Sequence, residues 1–171
     1  VKKELFDKIG KYKQYMAEDV EFLFRTVCEG YKVGKVEEKL LTYRIGNDAK
    51  SAIEGIQQKN KEEICCFKFD YINKQLNNRM EHLKYLIWGA DLSGQIFFDM
   101  MQNRYPNSKC VAYIDSFQEG EFQGEKVILP EQIQKMDYHY IFICTNGGRK
   151  AAKECMNQLG KKEIEDYFKV V

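Results

Sequence analysis

The chain has 171 residues, enough for one well-buried core or a modest domain with a helical appendage. Its 27 Lys and Arg balance 26 Asp and Glu for a net charge of +1, and neither half is lopsided, which excludes the charge field that nucleic acid or an anionic membrane surface would need. No run approaches the roughly 18 apolar residues of a membrane span, and no signal-peptide pattern opens the chain. It begins at Val1 rather than Met, which leaves room for trimmed sequence upstream.

Residues 1–82 read as helical. Leu5, Ile9, Tyr12, Met16, Val20, Leu23 and Val27 recur at steps of three or four, one apolar stripe over seven turns. Such a stripe is expected to pack against other helices or against a second copy of the chain, so a homodimer through these helices is one arrangement that would cover it. Gly30 and Gly34 punctuate, and a shorter helix over about residues 35–44 carries Val36, Leu40 and Tyr43. Gly46 reads as its stop, and Asn47 or Asp48 as the cap of the next helix. The last helix, from about Asn60, aligns Cys65, Phe69, Ile72, Leu76, Met80 and Leu83.

From Lys84 the rhythm changes to short apolar runs alternating with helices, the βαβ signature of a parallel sheet. The expected fold class is therefore α/β, a helical region (1–82) followed by a small parallel sheet flanked by helices (83–171). Strands are predicted at residues 85–88, 110–114 and 138–144, with a shorter extended segment at 127–129. Helices follow over about residues 92–103 and up to Leu159, which Gly160 caps, and Pro130 opens a small helical turn. Residues 164–168 are too short a segment to assign.

The first strand ends at Gly89, and Gly94 opens the helix after it. A strand, a glycine turn and a helix bring backbone N–H groups and the positive end of a helix dipole to one point, which suits a phosphate. In G-x-G-x-x-G the middle glycine lets the backbone touch a pyrophosphate, but here Asp91 stands in its place. Either the turn is a ligand site, or its glycines serve packing alone and Asp91 caps the helix. Asp115 is equally a ribose acceptor or a turn-forming Asp. Residues 146–149 form either a second anion nest, with Arg149 as counter-charge, or a simple loop and cap.

The six cysteines show no zinc-type or C-x-x-C spacing. They point to a reduced, cytoplasmic protein with no metal site. His82 and His139 sit at element ends and read as structural. No catalytic Ser/His/Asp, Cys/His or paired-carboxylate set can be assembled from spacing, so the catalytic residues are unknown and the chain is open to both enzyme and non-enzyme readings.

The strings Leu86-Ile87-Trp88-Gly89-Ala90 with Gly94, Val111-Ala112-Tyr113-Ile114-Asp115, Phe122-Gln123-Gly124-Glu125-Lys126-Val127-Ile128 and Tyr140-Ile141-Phe142-Ile143-Cys144 carry a resemblance in order and spacing. Residues 84–160 resemble the Rossmann-like domain of bacterial polysaccharide-biosynthesis proteins, namely membrane-bound nucleotide-sugar dehydratases and sugar-phosphate transferases. They are also similar to the nucleotide-sugar-binding N-terminal domain of sugar O- and N-acetyltransferases. The resemblance implies a phosphate-side turn of Gly89, Ala90, Asp91, Leu92, Ser93 and Gly94. It implies ribose or base contacts at Asp115 and Ser116, and a far wall of Cys144, Thr145, Asn146 and Gly147. Asp91 and Ser116 depart from the pattern, and the helical first half has no counterpart in it. The function implied is a nucleotide- or nucleotide-sugar-binding module without chemistry of its own. The alternatives are a sugar-nucleotide-modifying enzyme, an NAD(P)-dependent oxidoreductase fragment or an S-adenosylmethionine-dependent methyltransferase domain.

Overall fold

The computed structural model describes residues 2–34, 36–39 and 54–170, with residues 54–57 described by backbone only. By packing, the chain divides into two compact units, residues 1–64 and 65–171.

In the first unit, helices α1 (Lys3–Ile9) and α2 (Glu18–Cys28) are separated by a break at Gly10. The continuous seven-turn helix expected here is therefore not formed. Gly10, with φ +83°, closes α1 by donating its N–H to the Phe6 carbonyl, the left-handed stop that glycine allows at no steric cost. The Leu5-to-Val27 stripe is not buried either: Tyr12, Met16, Val20, Leu23 and Val27 are all exposed. The buried face of α2 carries Glu21, Phe22 and Thr26 instead. Phe22 stacks on Phe6 at 5.0 Å and meets Tyr12 at 4.6 Å. This inward ring outcompetes the periodic valines because an aromatic face removes more apolar area from water. The expected 35–44 helix falls mostly outside the described residues, and residues 36–39 are not helical. The Gly46 stop and the Asn47 or Asp48 cap lie wholly outside them.

Helix α3 (Glu54–Gln75) starts earlier than its apolar spacing indicates and stops at two asparagines. Asn77 and Asn78 adopt φ of +51° and +58°, and the Asn78 N–H bonds the Asn73 carbonyl at 2.9 Å, a left-handed helix terminus. Met80 and Leu83, expected on this helix, lie beyond its end yet remain buried.

The second unit carries a six-stranded sheet: β1 (Lys84–Trp88), β2 (Lys109–Ile114), β3 (Gly120–Phe122), β4 (Glu125–Ile128), β5 (Tyr140–Ile143) and β6 (Tyr167–Lys169), in the order β3-β4-β2-β1-β5-β6. Every pairing is parallel except β3 with β4. That pair is a hairpin turning on Gln123 and Gly124, both at positive φ, the geometry that matches the twist of two antiparallel strands. Strand alternation sends Tyr85, Ile87, Phe142 and Phe168 to one face, under α3 and α4 (Leu92–Arg104). Leu86, Trp88, Ile141 and Ile143 face the other way, under α5 (Arg149–Gln158). Val111 is skipped in the pairing of β1 with β2, a bulge that shifts the alternation by one residue, so that Cys110 and Tyr113 join the first face and Ala112 and Ile114 the second. The fold is thus α/β, N-terminal helices followed by a mostly parallel sheet with helices on both faces. From β1 the chain moves outward to β2 and β4, then crosses back to β5 on the other side. The carboxyl ends of β1 and β5 therefore flank a topological switch point, where ligands of open α/β sheets bind. No described helix is long and apolar enough to cross a membrane.

Candidate functional site

At the carboxyl end of β1 the backbone turns at Gly89, with φ +121°, where a Cβ would lie 3.0 Å from Thr145 Cβ. Gly94 presses on the same turn, since a Cβ there would fall 2.0 Å from the Gly89 carbonyl oxygen. The first turn of α4 thus sits on the strand end with no room for one more carbon, which is what a glycine at this spacing is for. Gly89 also donates its N–H to the Ile114 carbonyl at 2.9 Å, and Cys144 donates its own to Trp88 at 2.9 Å. These bonds tie the ends of β2, β1 and β5 into one edge, with the Gly89 turn beside the turn after Cys144.

Asp91 is the N-cap of α4. Its Oδ1 accepts the N–H groups of Ser93 at 2.8 Å and Gly94 at 3.1 Å. Extended backbone at Asp91 aims the carboxylate back over the helix mouth, as a cap requires. The chain's own anion therefore occupies N–H groups that an external phosphate would use. Ala90 is half-buried, Ser93 and Gly94 are buried, and Leu92 is 42% exposed at the rim.

One strand over, Asp115 donates its N–H to the Ile128 carbonyl at 3.0 Å, and its Oδ1 accepts the Phe117 N–H at 2.9 Å. Of the two roles open to Asp115, this bond is the turn-forming one. Ser116 is half-buried beside it. Asp91 and Asp115 each commit Oδ1 to the backbone, and the Oδ2 of each has no partner among the described residues. Each thus offers one acceptor to a hydroxyl donor.

On the β5 side, the side chain of Cys144 is wholly buried in the core. Burial pushes its thiol well above the ordinary range, so Cys144 borders the edge with its backbone only and holds no thiolate there. Thr145 packs between Gly89 and Gly148, and its Oγ1 accepts the Gly148 N–H at 3.4 Å. The Asn146 Oδ1 accepts from Arg149 at 2.5 Å, and Gly147 is open to solvent. Helix α5 starts at Gly148 with no side-chain cap, in contrast to α4.

Two residues at this edge escape sequence reasoning. Lys68, half-buried on α3, has the pKa of its ammonium lowered by burial and then by the charge of Arg149. Its only sequence signal is a charge three residues after Cys65, within the apolar stripe. Phe117 is 95% exposed, and nothing in its neighbours' spelling announces that. The edge thus carries two carboxylates by β1 and β2 and the Arg149 guanidinium by β5.

The opposite edge holds a cavity of about 810 Å³ lined by Arg79, His82, Tyr138, His139 and Glu165 among others. There His139 is a strand clasp: its N–H bonds the Lys84 carbonyl at 2.8 Å and its Nδ1 accepts the Lys84 N–H at 3.0 Å. Among the described residues no cluster of three or more His, Cys, Asp or Glu side chains could hold a metal.

No curated protein matches the chain. A family model does, over residues 81–167, from the turn before β1 to the first residue of β6. That stretch takes in both glycine turns and the Asp115 loop, and it covers half of the 171 residues. On that match, the chain belongs to the C2185-like, N-terminal family.

Proposed function

We propose that the sheet unit is a binding module for a small ligand that carries a nucleoside, a nucleotide or nucleotide-sugar of the kind used in cell-surface sugar biosynthesis, and that it supplies the seat rather than the reaction. The carrying observation is the close approach of backbone at the switch point, where a Cβ at Gly89 would lie 3.0 Å from Thr145 Cβ and one at Gly94 would lie 2.0 Å from the Gly89 carbonyl oxygen. The Rossmann-like spacing of residues 84–160 supports the same reading. The uncapped α5 end and Arg149 suit an anionic group, and Asp115 Oδ2 suits a ribose hydroxyl. A homodimer through the N-terminal helices is part of the proposal, because the exposed apolar residues of α2 call for cover.

One observation favours a second reading. Asp91 already fills the N–H groups at the α4 mouth, so a nucleoside ligand with no diphosphate there, such as S-adenosylmethionine, meets no competitor.

A thermal-shift panel of UDP-sugars, ADP, NAD(P) and S-adenosylmethionine separates the two. A ligand at one hundred times its Kd adds about 2.7 kcal/mol of stability, several degrees in Tm for a chain of this size. The Asp91→Gly variant sharpens the answer. An exposed carboxylate about 4 Å from a phosphate costs on the order of 1 kcal/mol, so the variant binds diphosphate ligands about fivefold tighter on the first reading. On the second it loses a hydroxyl acceptor and binds S-adenosylmethionine more weakly. A panel without any shift overturns both.

A further inference from the structure

Phe117 is the most exposed of the large apolar side chains among the described residues, at 95%. A phenyl group fully in water forgoes the 1.5–3 kcal/mol, roughly, that its burial would bring, so a partner that covers it recovers that energy. Its place in the fold is specific. Ile114, the last residue of β2, accepts the Gly89 N–H at 2.9 Å, and Phe117 lies three residues further along the chain than Ile114, a reach of at most about 11 Å. The backbone of Phe117 is anchored, since Asp115 Oδ1 holds its N–H at 2.9 Å while the Asp115 N–H is fixed to Ile128 on β4. A ring on an anchored backbone, beside a carboxylate with a spare oxygen, offers what a nucleoside presents: a flat face next to hydroxyl donors. Across the turn, Leu92 sets a second exposed apolar side chain at the mouth of α4.

We infer that Phe117 is the stacking platform for the planar ring of the ligand, and that Asp115 holds the hydroxyls next to that ring. This rests on the binding-module reading above and narrows it, because a ligand without an aromatic ring, such as a simple sugar phosphate, would leave Phe117 unused.

The test uses the full chain and two nucleotide probes, the fluorescent 1,N6-ethenoadenosine diphosphate and, by calorimetry, UDP. Phe117→Ala is expected to bind both about tenfold more weakly, on the order of one base-stacking contact, and to lose the change in probe emission. Phe117→Trp is expected to restore both signals. With its ring in solvent, Phe117 can be replaced without loss of fold, which an unchanged Tm without ligand verifies. If Phe117→Ala binds both probes as the wild type does, the stacking role is overturned while the binding module stands. If the wild type binds neither probe, the nucleotide form of the module reading falls and this inference falls with it.

Discussion

Gly94 and Gly147 lie in the two turns of the same sheet edge, yet they respond oppositely to one added methyl group. At Gly94 the new Cβ would meet a backbone oxygen at 2.0 Å, and at Gly147 it would meet nothing within 4 Å. Gly94→Ala is expected to cost about 3 kcal/mol or more, because α4 must lift from β1. Gly147→Ala is expected to be nearly silent. Urea unfolding of both variants checks this, and equal midpoints would remove the close approach from the account. The spacing of Gly89 and Gly94 made that contact readable in the sequence, because an apolar run followed by glycine, four residues and a second glycine has few other uses. Asp91 was readable as a cap for the same local reason. Lys68 and Phe117 were not readable, because burial of a lysine and exposure of a phenylalanine are decided by distant segments.

The first-unit helices show where periodicity misleads. The stripe through Val20, Leu23 and Val27 has ideal helical spacing, but the inward face of α2 is set by Phe22 and by Glu21, a buried carboxylate bonded to Arg25 at 2.9 Å. Arg25 also donates to the backbone carbonyls of Ile9 and Lys11, so this one side chain fastens α1 and the segment after it to α2. Burial by itself would raise the Glu21 carboxyl, but the hydrogen bonds and charges of Arg25 and Lys13 outweigh it and hold the group below its ordinary value. A depressed carboxyl contributes stability that is present above the unfolded value, 4.5, and is lost as pH falls through the folded one. Arg25→Ala is therefore expected to cost about 2–3 kcal/mol at pH 7, the worth of bonds to a charged group. The gap from wild type should narrow at pH 3, as followed by circular dichroism in urea. A gap that is the same at both pH values would mean that packing of the Arg25 stem, not the ion pair, does the fastening.

At the scale of the molecule, a parallel sheet with the Gly89 turn beside the Cys144 turn was readable because strand and helix alternate after residue 84 and right-handed crossovers leave few arrangements. What stayed hidden was small. β3 and β6 have three residues each, too few for a pattern, and the Val111 bulge is visible only in the pairing. All six strands and both apolar clusters lie within residues 65–171. A shortened chain of residues 54–171, which keeps α3 whole, is therefore expected to unfold cooperatively with a stability in the usual range of about 5–10 kcal/mol. Loss of cooperative unfolding in that chain would show that the sheet depends on residues before α3.

The sheet stops on each side at a strand of three residues, β3 and β6, about 10 Å of edge apiece. Unpaired strand edges are templates on which a second chain can add a strand and begin a fibre, and length is what makes them dangerous. Edges this short offer two or three bonds to an incoming segment, with the ion-paired Lys169 on one of them at 2.6 Å from Glu163. Self-association through continued β-pairing is thereby discouraged. Copies of this chain that do assemble are left to meet through helices and loops.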